Sequence, residues 1–198
     1  MTTTGDPTAL TVKHLDAAAM RALAHPLRMR MVGLLRAEGP ATASGLAERL
    51  GVSSGLTSYH LRALADAEFV EDDPDHATKG RERWWRASQD MTSWRPSEAG
   101  SDPDAVAAEQ WLAGFAARRS MEWLDDWLNR RPHADPAWQE VSTASDYLVE
   151  VNPEELDDLL GEIDAVLQAW MTRTLPNEDP DREAAVVLIQ GFPRNPDA

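Results

Sequence analysis

The sequence predicts an α+β protein, and two observations carry that prediction. Apolar residues recur at helical spacing along much of the chain, and two short apolar runs flank a turn-rich tip between residues 69 and 87. Charge is also divided very unevenly between the halves. Residues 1–90 hold 11 basic against 12 acidic groups and residues 91–198 hold 8 against 22, net charges of −1 and −14 in a total of −15. A near-neutral half that gathers its arginines on one surface can dock on phosphates. The acidic half would be repelled by them and must point away.

From Ala17 to Leu35, the residues Met20, Leu23, Leu27, Met31, Leu34 and Leu35 keep helical spacing. His25-Pro26 interrupts them, because proline disfavours helix at the residue before it and suits a first helical turn, so two helices are expected. The second stops at Gly39-Pro40. Thr42 is an N-cap for a short helix ending at Gly51, with Leu46, Ala47 and Leu50 on its inner face. Ser53 caps the next helix, about 54–67, which sets Thr57, Leu61 and Leu64 on one side and Ser54, Gly55, Ser58, Tyr59 and Arg62 on the other. Phe69-Val70-Glu71 and Arg83-Trp84-Trp85-Arg86-Ala87 read as hairpin strands joined by an outward loop from Asp72 to Arg81. The order is helix, turn, helix, wing, which suits holding a helix in the major groove of duplex DNA.

A polar connection, Ser93 to Pro103, precedes a long helix at about 104–131. Leu112, Ala116, Ser120, Trp123 and Trp127 form one of its stripes, with Met121, Leu124 and Leu128 beside it. One stripe can pack at home while the other faces a partner. The alternation Tyr147-Leu148-Val149-Glu150-Val151 meets Asn152-Pro153-Glu154-Glu155, an N-cap, a first-turn proline and a capping-box glutamate that together open a helix at about 154–172. Ala184 to Ile189 is apolar on both alternating faces, as a buried strand would be, so a small two-stranded sheet is expected here.

Composition removes several function classes. A chain of 198 residues suggests one or two domains. No run approaches the roughly 18–20 apolar residues of a membrane span, and the first residues lack the basic and apolar regions of an export signal, so a soluble cytoplasmic protein is expected. Cysteine is absent, which removes disulfides, thiolate nucleophiles and thiolate metal sites. The histidines, His14, His25, His60, His76 and His133, are scattered singly and none lies in 104–131, which argues against a metal sensor. No Gly-rich phosphate loop, serine elbow or clustered ligand set is present. The carboxylates at Glu154-Glu155 and Asp157-Asp158 read as a solvated helix face, so no enzyme and no cofactor is expected.

The segments Leu46-Ala47-Glu48-Arg49-Leu50-Gly51-Val52-Ser53, Ser58-Tyr59-His60-Leu61-Arg62 through Phe69-Val70, and Gly80-Arg81-Glu82-Arg83-Trp84-Trp85 resemble the winged helix-turn-helix regulators of the ArsR family over about residues 15–90. The resemblance implies a homodimer, a reading helix built around Ser58-Tyr59-His60-Leu61, and a repressor released by an effector. Ser53, Ser54, Ser58, Tyr59, His60 and Arg62 are then candidate DNA contacts, since hydroxyls, imidazole and arginine suit base edges and phosphates. Against this stands an ordinary solvated helix face, and for His60 a merely packed or capping role. Lys79, Arg81 and Arg83 are candidates to grip phosphate or enter the minor groove, or simply to keep a loop soluble. Glu68 departs from the family pattern, which has glycine before the wing. It must adopt a left-handed stop under strain or end the helix differently.

Trp111, Phe115, Trp123, Trp127, Trp138, Tyr147 and Trp170 offer broad apolar walls for a planar or hydrophobic effector, or fill a core and a dimer interface. The expected organisation is a DNA-binding domain at 11–90 and a dimerisation and effector region at 104–192 that needs no metal. The two reading helices of a two-fold dimer would lie about 34 Å apart and prefer an inverted-repeat operator. The rival expectation, supported by the acidic charge, is a winged module that binds protein and no longer reads DNA.

Overall fold

Local hydrogen bonds set the helix boundaries where the sequence places them. The Asp16 carboxylate accepts from the Ala19 amide at 2.8 Å and starts α1 (Ala17–Leu23). His25, in extended geometry, caps α2 (Pro26–Glu38) by accepting from the Leu27 amide on Nδ1 at 3.1 Å, while Pro26 occupies the first turn where no amide is needed. Thr42 accepts from Gly45 at 3.1 Å to open α3 (Ala43–Leu50), and Ser53 accepts from Leu56 at 3.3 Å to open α4 (Ser54–Asp66). Each such cap stabilises its helix by about 1 kcal/mol. Between α3 and α4, Gly51 turns the chain at φ 66°.

The computed structural model describes residues 10–76, 82–173 and 182–195. These residues divide into two compact units, Leu10–Ala117 and the stretch from Arg118 onward.

In the first unit, β2 (Ala41–Thr42), β3 (Val70–Asp72) and β4 (Trp84–Ala87) form an antiparallel sheet in the order β2-β4-β3. Trp85 of the central strand faces Ala41 on one side and Asp72 on the other. A second pairing was not anticipated: β1 (Val12–His14) runs parallel to β5 (Met91–Ser93), tying the start of the unit to the stretch after the hairpin. The apolar faces of α1 to α4 close over one core containing Met20, Leu23, Met31, Leu46, Leu61, Leu64 and Phe69. Ala99, Ala105, Ala108 and Leu112 join that core. The unit therefore continues past residue 90 and takes in the first half of α5 (Pro103–Arg130).

From Arg118 the chain continues through the rest of α5, a short 3-10 turn at Arg131–His133, α6 (Pro136–Val141) and α7 (Pro153–Met171). The capping box at Asn152 is present. Its Oδ1 accepts from the amides of Glu154 and Glu155 at 2.9 and 3.0 Å, and the Glu155 carboxylate accepts from the Asn152 amide at 2.8 Å. The two-stranded sheet expected from 147–151 and 184–189 is not formed among the described residues; both stretches run without a ladder partner. Their apolar pattern is that of a strand, but a single chain places no second strand beside either one. No described helix is long and apolar enough to cross a membrane.

Candidate nucleic-acid interface

Helix α4 is fixed to α3 by a buried hydroxyl. Thr57, fully buried, donates from Oγ1 toward the carbonyl of Ala43 at 2.8 Å and lies 3.0 Å from that of Ser54. The single polar arm of this β-branched side chain links the two helices by one buried hydrogen bond while its methyl packs in the core. The opposite face of α4 is open: Ser54, Gly55, Leu56 and Arg62 are exposed, Tyr59 is 60% exposed, and Ser58 is half-buried. Ser53, also exposed, spends its hydroxyl on the helix cap.

Ser54, Ser58 and Arg62 line one wall of a cleft of about 290 Å³, whose other walls are Thr42, Ala43 and Ser44 at the start of α3 and Glu82, Arg83 and Trp85 at the base of the wing. Hydroxyls, a helix start and two guanidinium groups converge there, a set that suits a phosphate. Thr42, Ser44, Glu82 and Trp85 were absent from the sequence-based candidates. The two-residue strand β2 brings them in, and a strand so short leaves no periodicity to read. Ser44 donates to the Glu82 carboxylate at 2.9 Å, so one wall of the cleft carries a fixed negative charge.

Arg83 is not a free cation. Its guanidinium forks onto the Asp72 carboxylate, with Nη2 to Oδ2 at 2.7 Å and a second bond from Nε to Oδ1, and it stacks 3.9 Å from the centroid of the Trp85 ring. The fork holds the Asp72 carboxyl below its usual range and raises the Arg83 pKa. Beyond it, the buried Asp73 carboxylate accepts from the Asp75 amide and pairs with His76 Nδ1, both at 2.9 Å, while the His76 ring stacks on Trp84. Lys79 and Arg81 lie outside the described residues.

His60 is corrected by the geometry. Expected on the reading face, it is 4% exposed and faces inward between Thr57 and Leu64, because one turn of α4 carries it onto the core side with Leu61. Its ring lies 4.3 Å from that of His25, and its Nδ1 accepts from Arg28 Nε at 3.3 Å. Burial lowers the pKa of both histidines. For His60, charge repulsion from His25 and then Arg28 adds to it; for His25, repulsion from Arg28 does. His60 therefore supports α4 from behind, with Tyr59 packed edge-on against it at 5.1 Å.

The aromatic candidates for an effector divide between the two units. Trp111 and Phe115 stack at 5.1 Å on the first half of α5, and Trp111 packs on the core of the first unit. Trp123 and Trp127 sit in the second half of α5 under Arg119 and Arg130, each 4.9 Å from a ring centroid; Trp138 is in α6, Tyr147 is 87% exposed, and Trp170 ends α7 beneath Arg173. An apolar cleft of about 260 Å³ on α7 is lined instead by Leu159, Glu162, Ile163, Val166 and Leu167. No group of three or more His, Asp or Glu side chains that could hold a metal ion occurs among the described residues.

Residues 23–73 match the family model of a helix-turn-helix domain. No curated protein sequence matches the chain. Similar solved structures include an ArsR family transcriptional regulator, 21% identical, covering 54% of this chain and 87% of that one with a TM-score of 0.30. ZitR of Lactococcus lactis is 13% identical over 78% of this chain and 83% of its own, with a TM-score of 0.31. RV1404 from Mycobacterium tuberculosis is 16% identical over 77% and 81%, with a TM-score of 0.31.

Proposed function

We propose that this chain, whose N-terminal unit carries a winged helix-turn-helix, is an ArsR-type transcriptional regulator that reads duplex DNA as a homodimer and represses transcription. The observation that carries the reading is the open face of α4, with Ser54, Ser58, Tyr59 and Arg62 presented on a helix locked from behind by Thr57. Side chains of these types reach base edges and phosphates, and the adjoining cleft supplies a seat for the backbone. Leu56, 41% exposed on the same face, adds an apolar contact suited to a thymine methyl. Two such units about a two-fold axis would match an inverted repeat.

Control falls to a small hydrophobic effector, without metal. The support is the apolar cleft on α7 and the exposed tryptophans of the C-terminal half. An effector there would raise the melting temperature, quench tryptophan emission and change DNA affinity together; a compound set that does none of these removes this part of the proposal.

The test of DNA reading is fluorescence-anisotropy binding to the chain's own upstream DNA and to a scrambled duplex across a salt series. Preference for the upstream fragment, with a salt slope of several phosphate contacts, supports the regulator. Absence of binding to either duplex at low salt overturns it and favours the protein-binding module, for which the net charge of −15 speaks.

A further inference from the structure

The described chain beyond residue 117 buries none of its side chains fully, and seventeen of its large apolar side chains stand exposed. With roughly 80 Å² open on each, about half of a large side chain, they present on the order of 1,300 Å² of apolar surface. A stable association buries about 800 Å² per partner. The exposed area thus exceeds what a dimer needs, and a monomer that left it in water would be prone to associate.

Within this surface one segment has a defined requirement. Ala184 to Ile189 lies in no helix or ladder and is apolar on both alternating faces, with Val186, Val187, Leu188 and Ile189 between 38% and 60% exposed. Just after it, Gly191 lies so close to α7 that a Cβ there would stand 3.0 Å from Leu160 and 3.3 Å from Leu156, so the end of the segment is already seated on the helix. A strand that is apolar on both faces belongs inside a sheet, and here no strand of the described chain flanks it. Its open backbone edge is self-complementary: the same six residues running antiparallel from a second copy offer matching donors and acceptors about a two-fold axis. Asp157, Asp158, Glu162 and Asp164 on α7 are exposed, whereas the segment itself carries no charge, so it offers a copy of the same sign an approach free of acidic side chains.

We propose that residues 184–189 of two copies pair antiparallel across a two-fold axis as a two-stranded intermolecular β-ladder. The pairing rests on the homodimer reading above and specifies where the two chains join.

The chain has no cysteine, so a single introduced thiol reports unambiguously. Val186→Cys and Val187→Cys are oxidised in the full-length protein, each alone and mixed one to one, and run on a non-reducing gel, with light scattering of the unmodified protein alongside. The pairing sets Val186 of one copy opposite Val187 of the other, so it predicts a dimer in solution, a covalent dimer in high yield from the mixture and little from either protein alone, and a loss of about 100-fold in dimer affinity for Val187→Pro, which removes a ladder amide. Val187→Asp is the second variant, with circular dichroism checking that the helices of both variants persist. A monomeric unmodified protein overturns both the pairing and the homodimer reading. A dimer that forms no cross-link in the mixture and tolerates both Val187 variants overturns the pairing alone.

Discussion

The amide of Phe69 donates to the carbonyl of Leu64 at 2.8 Å across a residue that should be glycine and is Glu68. Glu68 takes φ 60° and its own amide reaches the Ala65 carbonyl at 2.9 Å, so α4 ends in a paired-carbonyl stop closed by the contact of buried Phe69 and Leu64. A left-handed backbone costs a non-glycine residue about 1–2 kcal/mol. The strain sits at the joint between the reading helix and the wing.

Glu68→Gly therefore stabilises the protein by about 1 kcal/mol. The substitution relieves the left-handed residue and keeps the backbone carbonyl that accepts from Gln89 at 3.1 Å. It gives up an ion pair to Lys13 at 3.5 Å whose glutamate is 82% exposed and worth little. Thermal melts of the two proteins decide it; a lower melting temperature for the glycine variant would show that the ion pair matters more than the strain.

The histidine pair behind α4 makes the fold sensitive to mild acid. Folded His25 and His60 titrate below the ordinary 6.5, so between their folded values and 6.5 the unfolded chain binds more protons. Stability is full above about pH 6.5 and falls as pH drops through that interval, by at most about 1.4 kcal/mol per unit for each histidine. His60→Gln keeps a polar side chain and removes one proton site. Melting curves from pH 7.5 to 5 should flatten in that variant, and an unchanged pH slope would be inconsistent with the assignment.

Thr57→Val keeps shape and removes the hydroxyl that joins α3 to α4. The Ala43 carbonyl loses that bond inside the protein, a cost of about 1–3 kcal/mol. If Thr57 sets the presentation of α4, DNA affinity falls even well below the melting temperature, where the variant is folded. Anisotropy titrations at that temperature separate lost stability from lost alignment.

If the wing grips DNA as proposed, Asp72 competes with phosphate for Arg83. Asp72→Asn takes the charge from the fork and frees the guanidinium, so binding should tighten and the salt slope should steepen by about one phosphate contact. The double variant with Arg83→Ala should lose that gain. An Asp72→Asn protein that binds more weakly would instead assign the fork to positioning Arg83 for contact.

How much of this was legible depended on whether a feature is local. Caps at Thr42, Ser53 and Asn152 and the stop at Gly51 follow from neighbouring residues and could be read directly, whereas Glu68 left two possible helix ends, of which the structure takes the left-handed one. The open face of α4 was readable by periodicity except at His60, where histidine suits either side of a helix and only the packing of α1 and α2 decides. The β1-β5 pairing and the cleft residues Ser44 and Glu82 depend on contacts between distant stretches too short to carry a period. The pairing of Arg83 with Asp72 was not readable because the two lie eleven residues apart across the hairpin.

The pairing of β1 with β5 has a kinetic meaning. Thr11 donates to the Asp90 carboxylate through its amide at 2.8 Å and its hydroxyl at 2.7 Å, and the parallel register continues from Val12 opposite Met91. Closing a loop of that length costs on the order of 4 kcal/mol in chain entropy, against about 1 for the four-residue span of a helical turn. The clasp should thus form after the helices and be the first part to fray, with the amides of residues 12–14 exchanging with solvent ahead of those in α4.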